Sequence, residues 1–185
     1  MSVKRLVSLT VFCISILGLG LTSSAQAGIQ ENVRVIEEDI DRILVMVAKG
    51  QIMASTCAQN YPNDTKLNSY QFKFSKETTK PFSTALAIKR FLDKTVPELT
   101  GAKMVSDDPL SLPSIKKASL EVAEAMLIAK DSGLLKKTCS SLVNKNVVLE
   151  VMPSQVDYLF ESLLTLDEDF PGIYMFMKQR HYEAE

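Results

Sequence analysis

Over residues 29–58 one apolar seam runs along the chain without interruption. Ile29, Val33, Ile36, Ile40, Ile43 and Val47 alternate in steps of four and three, and Gly50, Ala54 and Cys57 continue that register. The period is helical and predicts a first helix of about eight turns. The seam starts bulky and ends small, so its far end invites close approach by another element. Glu37, Glu38, Asp39, Asp41 and Arg42 stand between the seam positions. Carboxylates in the N-terminal half of a helix are favoured by its dipole, and the expected role of this cluster is a solvated face.

Residues 60–64 supply the turn that follows. Over residues 70–75 the pattern becomes alternation, with Tyr70, Phe72 and Phe74 on one side, and residues 147–151 alternate in the same way. Both read as extended segments able to pair into a minor two-stranded ribbon, which would need helices to pack on. Pro81 falls where a first helical residue belongs and predicts a second helix reaching about Thr95. Residues 98–113 read as a long connection.

A third helix is expected over residues 114–130, with Ile115, Ala118, Val122, Ala125, Met126 and Ala129 as its apolar stripe. After a break at residues 131–133, Leu135, Cys139 and Leu142 share one face of a fourth. Ser154 and Asp157 have the spacing of a capping box, opening a helix that turns Val156, Leu159, Phe160, Leu163 and Leu164 inward. Past a turn at residues 166–172, a short last helix presents Ile173, Phe176 and Met177. The fold class that follows is all-α: a single compact bundle of about five helices, with the small ribbon as its one departure.

The first residues stand apart from this bundle. Lys4 and Arg5 precede an apolar core over residues 6–17, and Ala25-Gln26-Ala27 has the small residues of a cleavage site. Residues 1–27 therefore read as a secretory signal peptide, and residues 28–185 as a single helical domain, exported to a periplasm or the extracellular medium. The apolar core is too short for a spanning helix of about 20 residues, and no stable membrane insertion of the mature chain is expected.

Export changes the meaning of the cysteines. Of three in the chain, Cys13 lies in the leader, and Cys57 and Cys139 remain. An even count in an oxidising compartment favours a bridge between them over two free thiols. Both fall on apolar seams, so the bridge would join two core-facing helix surfaces. The formal net charge is only −1 and the basic residues are scattered, so nothing points to nucleic acid or anionic lipid.

Catalytic patterns are missing. The chain has one histidine, His181, and no nucleophile elbow, zinc-protease motif or phosphate-cradling glycine loop. The remaining route to catalysis is a pair of carboxylates, for which Glu37, Asp41, Asp167, Glu168 and Asp169 are the candidates. The last three precede Phe170-Pro171-Gly172 and look more like an interhelical turn.

No metal site and no cofactor is expected. Met177 and His181, four residues apart and so on one face of a helix, are the only soft donor pair for copper(I); a core methionine beside a frayed terminal histidine is the more usual arrangement. Asn63-Asp64-Thr65 fits the glycosylation pattern, with no consequence in a bacterium. The reading that fits best is a non-catalytic exported protein that binds another protein, of inhibitor, immunity or envelope accessory type. The alternative is a helical carrier of a small apolar ligand, its cavity lined by Phe72, Phe74, Met126 and Phe160. A carboxylate-based hydrolase comes third.

Overall fold

The computed structural model describes the backbone of residues 3–104 and 108–183, and the side chains of residues 26–104 and 108–183. The expected leader, residues 1–27, lies outside the described side chains apart from Gln26 and Ala27. Among the described residues six α-helices follow one another: α1 (Val3–Asn60), α2 (Thr65–Thr95), α3 (Pro113–Asp131), α4 (Leu135–Lys145), α5 (Val147–Leu164) and α6 (Ile173–Glu183), with a 3₁₀ turn at Pro109–Ser111. No strand occurs among the described residues. The expected all-α bundle is therefore the fold, with six helices rather than about five.

The seam of α1 is the axis of the bundle. Val33, Ile36, Ile40, Ile43, Val47, Ala54 and Cys57 are all buried, because α2, α3, α4 and α5 all pack against this helix. The small end of the seam admits an aromatic ring: a Cβ on Gly50 would stand 2.2 Å from Cζ of Phe74. Phe74 is completely buried, in a cluster with Ala54, Tyr70 and Leu149.

The ribbon does not form. Residues 70–75 belong to α2 and residues 147–151 to α5. Positions four apart share a face in a helix, and they are also in phase in a strand. Tyr70 and Phe74 satisfy both patterns, whereas Phe72 separates them by standing 73% exposed.

Helix α2 also starts much earlier than Pro81. The Asp64 carboxylate accepts the N–H groups of Lys66 at 3.0 Å and Leu67 at 3.2 Å, capping the helix at Thr65. Pro81 thus lies in the interior, where it removes one backbone bond at a cost of about 3 kcal/mol that burial along the rest of a 31-residue helix offsets. Pro153 is interior to α5 in the same way. That helix opens after Asn146, which takes a left-handed conformation at φ 43°. The expected capping box is unused, since the Ser154 hydroxyl donates to the Val151 carbonyl at 2.8 Å.

Among the later stripes most residues are buried, Val122, Ala129 and Leu142 are half-buried, and three are exposed. Ile115, Ala118, Met126, Leu135, Val156, Leu159, Phe160, Leu163, Ile173 and Met177 are buried. Ala125, Leu164 and Phe176, expected inside, are exposed, each lying at the edge of its stripe where no helix covers it. A disulfide joins Cys57 to Cys139 with 5.6 Å between Cα atoms. It ties the end of α1 to α4 inside a cluster with Leu67, Met126 and Leu135. Among the described residues no helix is long and apolar enough to cross a membrane.

Candidate functional site

The acidic positions of α1 are not a solvated face. Glu37 and Asp41 follow seam residues Ile36 and Ile40, whereas Asp39 precedes one, so they flank the seam on opposite sides. Helices close over both flanks. Asp39, only 7% exposed, accepts the Ser162 hydroxyl of α5 at 2.6 Å and Arg42 at 2.9 Å. Asp41 accepts the hydroxyl of Ser114 at the start of α3. Glu38 alone of the three acids beside Glu37 stays exposed, paired with Arg34.

Glu37 belongs to the most deeply set charge network. Lys89 of α2, whose side chain is 5% exposed, sits 2.8 Å from Glu37 and 2.5 Å from Asp93. The second oxygen of Glu37 accepts the Gly101 N–H at 2.8 Å, and that of Asp93 accepts the Met104 N–H at 3.3 Å. One buried ammonium is therefore neutralised by two carboxylates whose free oxygens hold the connection after α2. Lys89 was unforeseen, although the sequence carries its signal: it interrupts the apolar run Ala85, Leu86, Ile88, Leu92 at a core-facing position.

Glu37, Glu38 and Asp41 line a cleft of about 370 Å³ together with Arg34, Lys89 and Ser114. General acid–base chemistry requires a carboxyl free to exchange its proton with a substrate, and here each one is held by a cation or a hydroxyl. Asp167, Glu168 and Asp169 stand apart in the α5–α6 turn, where Asp167 accepts the Tyr174 N–H at 3.0 Å and the other two are exposed. The five carboxylates do not converge.

Met177 and His181 both lie on the buried face of α6, and His181 is far from frayed. Its Nδ1 lies 2.6 Å from the Thr84 hydroxyl of α2, and its ring meets Phe160 and Tyr182 edge-on. Burial holds its pKa below the ordinary imidazole value, the nearby Lys80 acts in the same direction, and Asp157 opposes them. Thr84 occupies the nitrogen nearest to it, which leaves Nε2 and the Met177 thioether as the donors on this face. Among the described residues no group of three or more His, Cys, Asp or Glu side chains is placed to hold a metal ion.

The four residues expected to line a ligand cavity are dispersed. Phe72 faces solvent, Phe74 packs with Tyr70 and Leu149, Met126 lies beside the disulfide, and Phe160 belongs to the main core around α1. The shared apolar character of these side chains reflected several clusters rather than one chamber.

Part of what the helices leave uncovered is apolar. Leu120, Leu127 and Ile128 lie at positions i, i+7 and i+8 and so share the outer face of α3, opposite buried Ile115, Ala118 and Met126. They are 63%, 58% and 60% exposed, and Leu134, before α4, is 55% exposed. No protein-family model, curated protein or solved structure matches the chain.

Proposed function

We propose that the mature chain is an exported, non-catalytic protein that acts by binding another protein, in the manner of an inhibitor, immunity or envelope accessory protein. The observation that carries this reading is the exposed row of Leu120, Leu127, Ile128 and Leu134. Scattered surface leucines are ordinary, but Leu120, Leu127 and Ile128 share one face of α3, and apolar side chains grouped on one helix face are the kind of surface that partner proteins cover. The engagement of Glu37, Asp39 and Asp41 in internal bonds supports the absence of catalysis.

Affinity capture from the native compartment tests the reading, comparing the natural chain with a variant carrying Leu127→Glu and Ile128→Glu. Both positions are exposed, so the variant should melt within about 0.5 kcal/mol of the parent. A protein recovered in stoichiometric amount with the parent and lost with the variant is the expected result; recovery of the same proteins by both would defeat it. Terminal sequencing of the exported protein should begin at Gly28.

A further inference from the structure

Only one ring nitrogen of His181 is engaged within the fold. Nδ1 meets the Thr84 hydroxyl at 2.6 Å. Nε2 has no partner, and although the residue is only 8% exposed, that atom is not sealed from solvent. The bond to Thr84 fixes which nitrogen carries the proton. A hydroxyl has one hydrogen to donate, and the buried Thr84 hydroxyl has no acceptor other than Nδ1. Thr78 and Thr79, on the same helix, each donate instead to the carbonyl four residues earlier. Thr84 is satisfied by donating to Nδ1, and the ring proton then sits on Nε2. Burial and the charge of Lys80 favour the neutral ring, so Nε2 presents a single N–H that no group of the protein accepts.

His181 lines a pocket of about 490 Å³ between α2, α5 and α6, within the size range of small-molecule sites. Its floor is apolar, made by Pro81 of α2 and by Leu149, Met152, Pro153 and Val156 of α5. Charges stand at its edge. Glu77 faces Lys73 at 3.8 Å and Asp157 acts on Lys178, so each of these two lining acids has a cation outside the pocket. Lys76 and Lys80 also line it, and neither forms an ion pair among the described residues. Lys80 belongs to the imidazole end. Its ammonium lies 5.7 Å from the centre of the Tyr182 ring, which meets His181 edge-on.

The pocket thus offers an N–H donor, an unpaired ammonium on the same side, and an apolar bed. A hydrocarbon would leave the N–H without an acceptor, and an amine would set one cation against another. A carboxylate on an apolar body answers all three features. We propose that this pocket binds a small monocarboxylic acid with an apolar body, its carboxylate accepting the Nε2–H of His181 and facing the Lys80 ammonium while its carbon chain lies on Met152, Pro153 and Val156. The site is apart from the outer face of α3 and stands whether or not that face meets a partner.

Octanoate, octan-1-ol and octylammonium share one chain and differ in head group, which makes them the probes. His181 is the only histidine of the chain, so its imidazole nitrogen resonances in NMR spectra report on the site directly. Without a probe, they should show a protonated Nε2 and an unprotonated Nδ1. Octanoate should move the Nε2 resonance saturably and give intermolecular NOEs between its methylenes and the Met152 methyl group. Octan-1-ol should bind roughly tenfold or more weakly, the factor expected for a hydrogen bond to a charged group, and octylammonium should leave the resonance in place. Lys80→Gln changes a half-buried residue without an ion pair. It should weaken octanoate by a similar factor and leave octan-1-ol unaffected.

A proton on Nδ1 in place of Nε2, no response to octanoate, a response to either other probe equal to that of octanoate, or octanoate binding indifferent to Lys80→Gln would overturn the proposal.

Discussion

His181 and Thr84 are 97 positions apart in the chain, yet the imidazole Nδ1 lies 2.6 Å from the threonine hydroxyl. This bond fastens α6 to α2. It also makes the docking of the last helix sensitive to protonation, because the environment favours the neutral ring: burial and the charge of Lys80 both lower its pKa. The unfolded chain therefore binds more protons at this site than the folded one below the ordinary value of 6.5. Its contribution to stability is complete above that value and declines as the pH falls.

Denaturant titrations from about pH 7.5 down to about pH 5, on the natural chain and on His181→Asn, should show the advantage of the natural chain shrinking toward acid. A difference that stays constant across that range would show that the histidine does not titrate in the fold.

Gly50 should not tolerate even a methyl group. Alanine favours helix over glycine by about 1 kcal/mol, but its Cβ would stand 2.2 Å and 2.6 Å from two atoms of the Phe74 ring. That ring is enclosed by Ala54, Tyr70 and Leu149 and has little room to retreat. Gly50→Ala is expected to cost a net of about 1–3 kcal/mol, read from chemical denaturation, and Phe74→Leu added to it should recover part of the loss.

Lys89 is expected to be far more important to stability than an ordinary surface lysine. Lys89→Met leaves Glu37 and Asp93, which are 19% and 16% exposed, without their cation. Removing one partner of such a buried group costs about 3–5 kcal/mol. Hydrogen exchange should accelerate at Gly101 and Met104, whose N–H groups depend on those carboxylates. Unchanged exchange there would mean that the network does not hold the connection.

The bridge between Cys57 and Cys139 closes a separation of 82 residues. In the chain-entropy account a loop of that size contributes about 4–5 kcal/mol. Paired replacement by alanine should lower the denaturation midpoint accordingly. Peptide mapping without reductant should recover the two cysteines in one linked peptide, and two free thiols from the native compartment would contradict the structure.

The spine of the bundle was legible because its information is local. A helical period sustained over residues 29–58 leaves one face to bury, whatever buries it, and both cysteines lay on such faces. The third, fourth and last helices could be read in the same way. The failures at Phe72 and at Pro81 have separate causes: residues spaced by four satisfy a strand and a helix alike, and a proline marks a helix start only when nothing earlier caps the chain. Here Asp64 does so.

The sequence by itself determined the all-α class, the burial of the α1 seam and the positions from which Cys57 and Cys139 could meet. Only the tertiary structure decided what happens at the edges of the helices. Whether Glu37 is solvated depends on Lys89, 52 residues away, and the state of Asp39 depends on Ser162, 123 residues away. A side chain at the centre of an apolar face is buried by any neighbour. One at the boundary takes its environment from the particular residue that a distant segment places there, and periodicity within a single helix carries no record of that partner.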